Sequence, residues 1–279
     1  ILAGLHLTTE GGELLGPSFD PVEAAEARLA RVRRDRATRA DDPWGLRAEL
    51  DLLVTLGRVD EAVALSRAEL PKFDNGDLSA DGAVVALQWL LDAAAGAEVK
   101  AGRIDEATRL YERAIAVSDE GGVNVSQTLN LAYAEVLHGR PEAALRRVRT
   151  LKPDDMSDYG GAFAASIQVC AATLLGRARD RDEGLARLRE VEPPSRIVQV
   201  LGLVCADDED AAAAAYIAML ADPDSRIDAL LELSEWNRPA NQSDFSRLLM
   251  DRVLAVAKRP DVQAAVAKAG RLGRIPLLN

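Results

Sequence analysis

AGRIDEATRLYERAIAVS, residues Ala101–Ser118, is the stretch of sequence that decides the fold. Its apolar side chains recur at helical spacing along one face, and its charged side chains occupy the opposite face. The apolar positions are Ile104, Ala107, Leu110, Tyr111, Ala114 and Ile115. Gly102 stands in front of this pattern, where it marks a turn. The stretch therefore predicts an amphipathic helix that begins directly after a glycine turn.

Looser copies of this stretch recur along the chain. They lie at Gly57–Leu70 (GRVDEAVALSRAEL), at Gly139–Leu151 (GRPEAALRRVRTL) and, without a leading glycine, at Arg179–Val191 (RDRDEGLARLREV). A second apolar helical pattern precedes each copy. Repeated helix pairs are typical of a solenoid, in which each pair buries its apolar face against its neighbours. Because only 4% of residues are aromatic and β-branched runs are sparse, we expect an all-α protein with almost no sheet.

Helical periodicity and turn residues predict the elements in order. The predicted helices are Pro21–Thr38, Trp44–Leu56, Val59–Leu70, Ala83–Lys100, the helix after Gly102, Val125–His138, Pro141–Leu151, Ala162–Leu175, Arg181–Val191, Arg196–Cys205, Asp208–Leu220, Ile227–Trp236, Ser243–Ala257 and a closing helix at Val262–Gly270. Between Lys72 and Asp81 we expect a polar insertion. The last residues, Ile275–Leu278, form a short apolar tail. A terminal helix that covers the last apolar face is what a solenoid requires.

The formal net charge of −11 argues against a nucleic-acid partner, since clustered Lys and Arg supply most of the affinity for phosphate. A basic run at Arg28–Arg39 lies on a helix that also carries Glu23, Glu26 and Asp35, and we interpret it as a solvated helix face, with an anion-binding patch as the alternative. No run of 18 apolar residues occurs, so no membrane span is expected. We predict no metal and no cofactor.

Two cysteines, Cys170 and Cys205, lie in apolar helical contexts without the paired spacing of a zinc site. Free buried thiols are the first interpretation, and a disulfide between neighbouring helices is the alternative. A cytoplasmic location is favoured slightly over an exported one, although the cysteines leave the redox compartment open.

No catalytic motif stands out. HExxH, GxSxG, a phosphate-binding glycine loop and CxxC do not occur. The acidic runs at Asp154-Asp155 and Asp207–Asp210 stand in loops or at helix starts, where carboxylates stabilise the helix dipole. Two alternatives stay open: a helical-toroid enzyme acting on carbohydrates or metabolites with two carboxylates across a cleft, and a structural oligomerisation domain.

The chain resembles the tetratricopeptide repeat family over roughly Asp41–Glu192. The best copy, Leu91–Ile115, has the family's small residue in its first helix, glycine at the turn, and alanine where the second helix crosses the first. These residues are Ala95, Gly102 and Ala107, followed by Tyr111 and Ala114. In the other copies the crossing residue is Ala62, Ala144 or Gly184. Their spacings of 45, 37 and 40 residues differ from the family's period of about 34, so the resemblance is to a divergent member.

The resemblance implies a right-handed superhelical solenoid that binds a peptide or partner protein on its concave face. The family's groove positions correspond here to Trp44, Arg47, Asp51, Trp89, Asp92, Ser126, Leu129, Asn130, Tyr133, Ser166, Val169 and Thr173. One subfamily clamps a C-terminal carboxylate with basic and amide side chains. Asn130 matches that pattern, but Asp92, Gly96, Ser166 and Cys170 do not, so carboxylate clamping is not expected.

The predicted organisation has three parts. Residues 1–40 form an N-terminal arm and first helix, 41–192 the repeats, and 193–279 a helical continuation with the closing helix. The arm itself, Ile1–Asp20, is rich in Gly, Thr and Glu and is expected to be irregular. We hypothesise that it lies in the groove as an intramolecular ligand.

Overall fold

The computed structural model describes residues 2–16, 18–39, 41–73, 82–117, 124–189 and 196–278. The chain is mostly helical, which confirms the all-α class. Its contacts divide it into two compact units. Unit A comprises Val22–Ala134, Asn237–Gln242 and Pro276–Asn279, and unit B comprises Ile1–Pro21, Glu135–Trp236 and Ser243–Ile275. No helix among the described residues is both long enough and apolar enough to cross a membrane.

Unit A is built from a first helix and helix pairs. Its helices are α3 (Pro21–Thr38), α4 (Pro43–Thr55), α5 (Val59–Glu69), α6 (Ala83–Lys100), α7 (Ile104–Ala116) and the larger part of α8 (Val125–Leu137), with a 3₁₀ turn at Leu70–Phe73. Helix α4 packs against α5 and α6, and α6 packs against α7. The polar insertion predicted between Lys72 and Asp81 lies outside the described residues beyond Phe73.

Unit B contains the remaining helices. They are α1 (Leu2–Leu7), α2 (Thr9–Leu15), the end of α8, α9 (Pro141–Thr150), α10 (Asp158–Leu174), α11 (Ala178–Arg189), α12 (Arg196–Cys205), α13 (Glu209–Ala221), α14 (Arg226–Leu233), α15 (Asp244–Ala257) and α16 (Pro260–Ala269), with a 3₁₀ turn at Pro153–Asp155. Helix α10 is central, because it packs against α9, α11 and α12.

One turn geometry recurs between successive helices. The residue after the helix adopts a positive φ at Gly57, Gly102, Gly139, Gly176 and Asp207, with values between 63° and 76°. At each turn the two N–H groups that follow the helix donate to its last carbonyls, as Gly57 does to Val54 (2.9 Å) and Arg58 to Leu53 (2.8 Å). This is the Schellman cap, which satisfies carbonyls that the helix leaves without partners.

A glycine turn also precedes the fourth copy, which the sequence analysis described as lacking one. Gly176 forms this turn, and α11 begins at Ala178, before the start of the copy at Arg179. Its crossing residue, Gly184, lies eight positions beyond the turn glycine, whereas Ala107 lies five beyond Gly102. This shift of about one helical turn concealed the glycine. The end of that copy and the following Pro193-Pro194 lie outside the described residues.

Small residues form the contacts between paired helices. Ala62, Ala107 and Ala144, the crossing residues predicted from the sequence, are fully buried, and so is Ala95 on the first helix of the best copy. At Gly184, an added Cβ would stand 2.7 Å from Val169 Cγ2. The two helices of a pair can therefore approach closely because the residues at their contact are alanine or glycine, as the sequence predicts.

The N-terminal segment differs from the predicted irregular arm. It forms α1 and α2, and α1 packs against α14 of its own unit. Gly4 permits this approach, because a Cβ there would stand 2.5 Å from Ile227 Cγ2 and 2.8 Å from Leu231 Cδ1. The hypothesis that this segment occupies the groove is therefore wrong. The two helices are too short and too rich in glycine to give a periodic signal.

Two short strands, β1 (Glu235–Asn237) and β2 (Arg274–Leu278), pair with each other near the C-terminus. The predicted helix Ile227–Trp236 therefore ends earlier, at Leu233. Trp236 Nε1 donates to the Leu231 carbonyl (2.8 Å), so this indole folds back onto the end of α14. The apolar tail is β2, in which Ile275, Leu277 and Leu278 are buried.

Cys170 and Cys205 form a disulfide, so the first interpretation, free buried thiols, is wrong. The bond joins α10 to α12, which are the first helices of successive pairs. Their Cα atoms are 4.9 Å apart although 35 residues separate them in sequence. Stacking of the pairs brings the two cysteines together.

The turn geometry predicts opposite effects for two Gly-to-Ala substitutions in and beside α10. Gly176→Ala should lower the free energy of unfolding by about 1–2 kcal/mol, because φ is +64° although the space around it is open. Gly161→Ala should raise it by about 0.5–1 kcal/mol, because Gly161 lies within the helix, also with open space. Urea unfolding measures both. Equal effects of the two substitutions would contradict the turn assignment.

The disulfide predicts that the unreduced, denatured protein does not react with iodoacetamide, and that after reduction two alkyl groups add to it. Intact-mass spectrometry distinguishes these states. Cys170→Ala combined with Cys205→Ala should destabilise unit B by about 3–4 kcal/mol, the loop-closure value for a ring of this size. Labelling of both thiols without reductant would overturn the assignment.

Candidate functional site

The candidate site is a cluster of aromatic, charged and amide side chains on α4, α6 and α8 in unit A. Trp44, Arg47 and Asp51 follow one another at spacings of three and four residues, which places them on one face of α4. Trp89 and Asp92 stand three apart on α6. Asn130 belongs to α8. The structure therefore brings together six of the groove positions predicted from the first three copies.

Arg47 lies against two indole rings. Its guanidinium carbon is 5.4 Å from the ring centroid of Trp44 and 4.9 Å from that of Trp89. Such cation–π contacts contribute about 0.5–2 kcal/mol each, more where water is excluded. Trp44 is 45% exposed and Trp89 is half-buried, so one indole presents a large apolar surface to solvent. The arginine thus links α4 to α6.

Asp92 is a half-buried carboxylate in the middle of the cluster. Asn130 Nδ2 donates to its Oδ2 at 2.7 Å, a bond that joins α6 to α8. Among the described residues, no cationic side chain lies within 4.0 Å of it. Desolvation raises the pKa of Asp92 to about 6, and the charge of Asp51 adds to the rise, while the Asn130 bond and Arg47 oppose it.

Asp51 lies at the edge of the cluster, one turn from Arg47. The closest approach is 3.6 Å, from Arg47 Nε to Asp51 Oδ2, and the Asp51 side chain is 55% exposed. Partial desolvation raises the pKa of Asp51, while Arg47 and Arg28 lower it. An exposed pair at this spacing contributes about 0.3–0.5 kcal/mol, so Arg47 is held mainly by the two indoles.

The other predicted site residues lie in different environments. Ser126 is exposed and Tyr133 is half-buried, both on α8, whereas Leu129 is only 3% exposed and belongs to the core. Ser166 and Val169 on α10 of unit B are fully buried, and Ser166 donates to the Val198 carbonyl, so neither lines an accessible face.

Thr173, the last predicted site residue, is half-buried on α10. Its Oγ1 is buried without a hydrogen-bond partner among the described residues. The groove positions predicted on α10 require that one face of this helix is exposed to solvent. Instead, α10 packs against α9, α11 and α12, and α12 is the first helix of a fifth pair.

One surface residue was missed by the sequence analysis. Val85 is 41% exposed and precedes Trp89 by four residues, which places both on one face of α6. Helical spacing alone could have found it. We call the set Trp44, Arg47, Asp51, Val85, Trp89, Asp92, Ser126, Asn130 and Tyr133 the Trp–Asp face.

A buried carboxylate fixes the helices behind this face. Glu98, 2% exposed on α6, accepts hydrogen bonds from Arg103 Nε (2.6 Å) in the next turn and from Arg67 Nε (3.0 Å) on α5. Glu49 on α4 similarly pairs with Arg33 Nε (2.7 Å) and with Arg36 on α3. Charged buried pairs break at high cost, because the remaining charge has no partner. They join α6 to α5 and α4 to α3.

A cleft lies in unit B, beside the turn at Asp207. This cleft of about 280 Å³ is lined by Val204, Asp207, Asp208, Glu209, Ala212, Asp251, Arg252, Ala255 and Val256. Arg252 pairs with Asp207 (2.9 Å) and also donates to the Val204 carbonyl (2.9 Å). Asp208 caps α13 through the Ala211 N–H (3.1 Å), as expected for acids at a helix start. These charged groups therefore stabilise the fold.

Comparison with known proteins gives no relative: no family model, no curated protein and no solved structure matches this chain. Within the described ranges, no group of three or more His, Cys, Asp or Glu side chains is arranged to hold a metal ion. The assignment of the candidate site therefore depends only on the arrangement of its residues, which provide aromatic surface, one guanidinium, two carboxylates and an amide.

The raised pKa of Asp92 predicts a pH-dependent stability difference. Between pH 4 and pH 6 the folded chain retains a proton that the unfolded chain has lost, so this group lowers the free energy of unfolding as the pH rises. Asp92→Asn removes the charge and retains an acceptor for Asn130. It should be more stable than wild type by about 1–2 kcal/mol at pH 7, and the difference should vanish near pH 4.

Urea unfolding of the wild type and Asp92→Asn across pH 4–7.5 measures this difference. Asp35→Asn is the matched control, because it makes the same chemical change at an exposed position of α3. Its stability difference from wild type should be smaller at pH 7. A pH-independent difference for Asp92→Asn would contradict the assignment of a desolvated carboxylate.

Proposed function

We propose that this chain is a divergent tetratricopeptide-type solenoid without catalysis of its own, and that unit A binds a peptide or a segment of a partner protein on the Trp–Asp face. Three features support the solenoid. The same turn recurs five times, small residues stand at the helix crossings, and the first helix of one pair packs on the first helix of the next, as α4 does on α6. In that arrangement α16 would serve as the closing helix.

The observation that carries the binding role is the exposure of Trp44 beside Arg47 and Trp89. The chain has only three tryptophans. Two of them, Trp44 and Trp89, stand at matching positions on the first helices of successive pairs and contact the same arginine. Tryptophan and arginine dominate the energetics of protein interfaces, because a large rigid ring adds contact area at little cost in conformational entropy. An exposed indole held by a neighbouring cation is already ordered for contact.

The proposed surface is smaller than the sequence alone suggested. It uses α4, α6 and α8, because Ser166 and Val169 of the fourth copy are buried in unit B. Three helices presenting residues at helical spacing suit an extended or helical segment that crosses them, and the polar edge formed by Ser126, Asn130 and Tyr133 would contact its backbone.

The enzyme alternative has less support. A helical-toroid glycosidase needs two carboxylates free to act across a cleft and aromatic rings that stack on sugars. Beside Asp207, three of the carboxylates are engaged with arginines or with a helix N-terminus. No aromatic side chain is among the described residues that line this cleft. No observation on the described residues favours the oligomerisation alternative over peptide binding.

The disulfide also bears on the compartment. Cystine bonds persist mainly in oxidising environments and are rare where thiol reductants are abundant. The Cys170–Cys205 bond thus supports an exported location rather than the cytoplasmic one that the sequence slightly favoured.

Selection of 12-residue peptides from a phage-displayed random library tests the binding role. Peptides enriched on the wild-type protein should bind Trp44→Ala and Trp89→Ala at least 10-fold more weakly in fluorescence anisotropy, because both substitutions remove contact area from the face. Trp44→Ala leaves the core intact, since this indole is exposed.

Tyr159→Ala serves as the matched control. It removes an equally exposed ring, 49% accessible, from α10 of unit B and should leave affinity within twofold. Circular dichroism verifies folding of each variant. Absence of any enriched peptide, or equal affinity for the wild type and both tryptophan variants, would contradict the proposed function.

A further inference from the structure

We propose that the segment bound on the Trp–Asp face carries a basic side chain, Lys or Arg, that pairs with Asp92 and Asp51, next to an apolar side chain that packs on Trp44 and Val85. This inference rests on the proposed function and adds the chemistry of the partner. It follows from the charges on the face, from the partners of Asp92 and from the position of the exposed apolar groups.

The charges on the face do not balance. Within the face, two carboxylates, Asp51 and Asp92, stand against one guanidinium, that of Arg47, while Arg28 on α3 acts on Asp51. That guanidinium is already engaged by two indoles and by Asp51. Asp92 receives one hydrogen bond from Asn130, and no cation within ion-pairing distance among the described residues compensates its charge. A partner that supplies a cation would complete the pairing.

Partial burial strengthens this argument. A carboxylate removed from water without a cationic partner is destabilised, which is why the pKa of Asp92 rises to about 6. Contact with a lysine or arginine side chain offsets that cost. Contact with an anion would increase it. The net charge of −11 on the whole chain also attracts a basic segment and repels an acidic one.

The aromatic rings favour the same partner. Indole faces attract cations, as the position of Arg47 already demonstrates, and a second cation can approach the outer side of the exposed ring. Trp44 and Val85 add apolar surface, with 45% and 41% of each residue exposed. A basic residue beside an apolar one therefore satisfies the acidic and the apolar parts of the face together.

The competing interpretation treats Arg47 as a receptor for a carboxylate of the partner. The two interpretations differ in which charge of the selected peptide contributes to binding. Under our proposal, changing a Lys or Arg of the peptide to Gln weakens binding, whereas changing an Asp or Glu of the peptide to its amide does not. An anion receptor would lose affinity when the Asp or Glu is changed.

The probes are the peptides selected on the wild-type protein, synthesised with their own sequences and with each Lys or Arg changed to Gln. Anisotropy titrations at low salt and pH 7.5 should show at least 10-fold weaker binding after one such change in the peptide. Asp92→Asn should weaken binding of the unchanged peptide by about 10-fold. Asp35→Asn, which removes an equal charge from α3, should change affinity less than twofold and excludes a general effect of net charge.

The pH profile provides an independent readout. Wild-type affinity should fall between pH 7.5 and pH 5 as Asp92 becomes protonated, whereas Asp92→Asn should give a flat profile over that range. Selected peptides without a basic residue, equal effects of Asp92→Asn and Asp35→Asn, or weaker binding of a peptide whose Asp or Glu is changed to its amide would each overturn the inference. In each of these cases, binding that still depends on Trp44 or Trp89 would leave the proposed function standing. A failure to select any peptide dependent on Trp44 or Trp89 would contradict both proposals.

Discussion

The left-handed residue after the first helix of each pair is the constraint on which the rest of this molecule depends. A chain that reverses direction within two or three residues needs a positive φ, and glycine adopts it without cost, at Gly57, Gly102, Gly139 and Gly176. Asp207 adopts the same conformation at the fifth turn, where its carboxylate pairs with Arg252. Because each cap also satisfies helix carbonyls, one local geometry sets both the end of one helix and the start of the next.

The Trp–Asp face is a consequence of that repetition. Each pair folds through the same turn, and the first helices α4, α6 and α8 bring residues that are far apart in sequence together in unit A. Arg47 and Trp89 meet in this way, and so do Asp92 and Asn130. Behind the face, the pairing of Glu98 with Arg67 and Arg103 fixes the helices from the buried side. Rigid support of this kind lets exposed rings keep their orientation at little entropic cost.

The sequence predicted the features that depend on local spacing. Periodic apolar residues and glycine turns located the helix pairs, and matching positions on successive helices located Trp44, Arg47 and Trp89 together. Features that depend on three-dimensional packing were not accessible. From the sequence, a disulfide between neighbouring helices was only the alternative for Cys170 and Cys205, because spacing alone does not show that their side chains meet. The burial of Ser166 likewise depends on α12.

Local signals also failed where they were weak or shifted. Gly176 escaped notice because Gly184 takes the crossing position about one helical turn later than in the other copies. The helices α1 and α2 are shorter than any window in which a 3.6-residue period can be recognised. The uncompensated charge of Asp92 is likewise a property of its surroundings, since it depends on the distance of the nearest cation and on partial burial.

The central claim is that a partner segment binds on the face that carries Trp44 and Trp89. Indole N–H signals in a ¹H–¹⁵N correlation spectrum test it most directly, because the chain has three tryptophans and the third, Trp236, lies in unit B. On titration with a selected peptide, the signals of Trp44 and Trp89 should shift while that of Trp236 stays in place. Saturable binding that shifts only the Trp236 signal, or none of the three, would contradict the account.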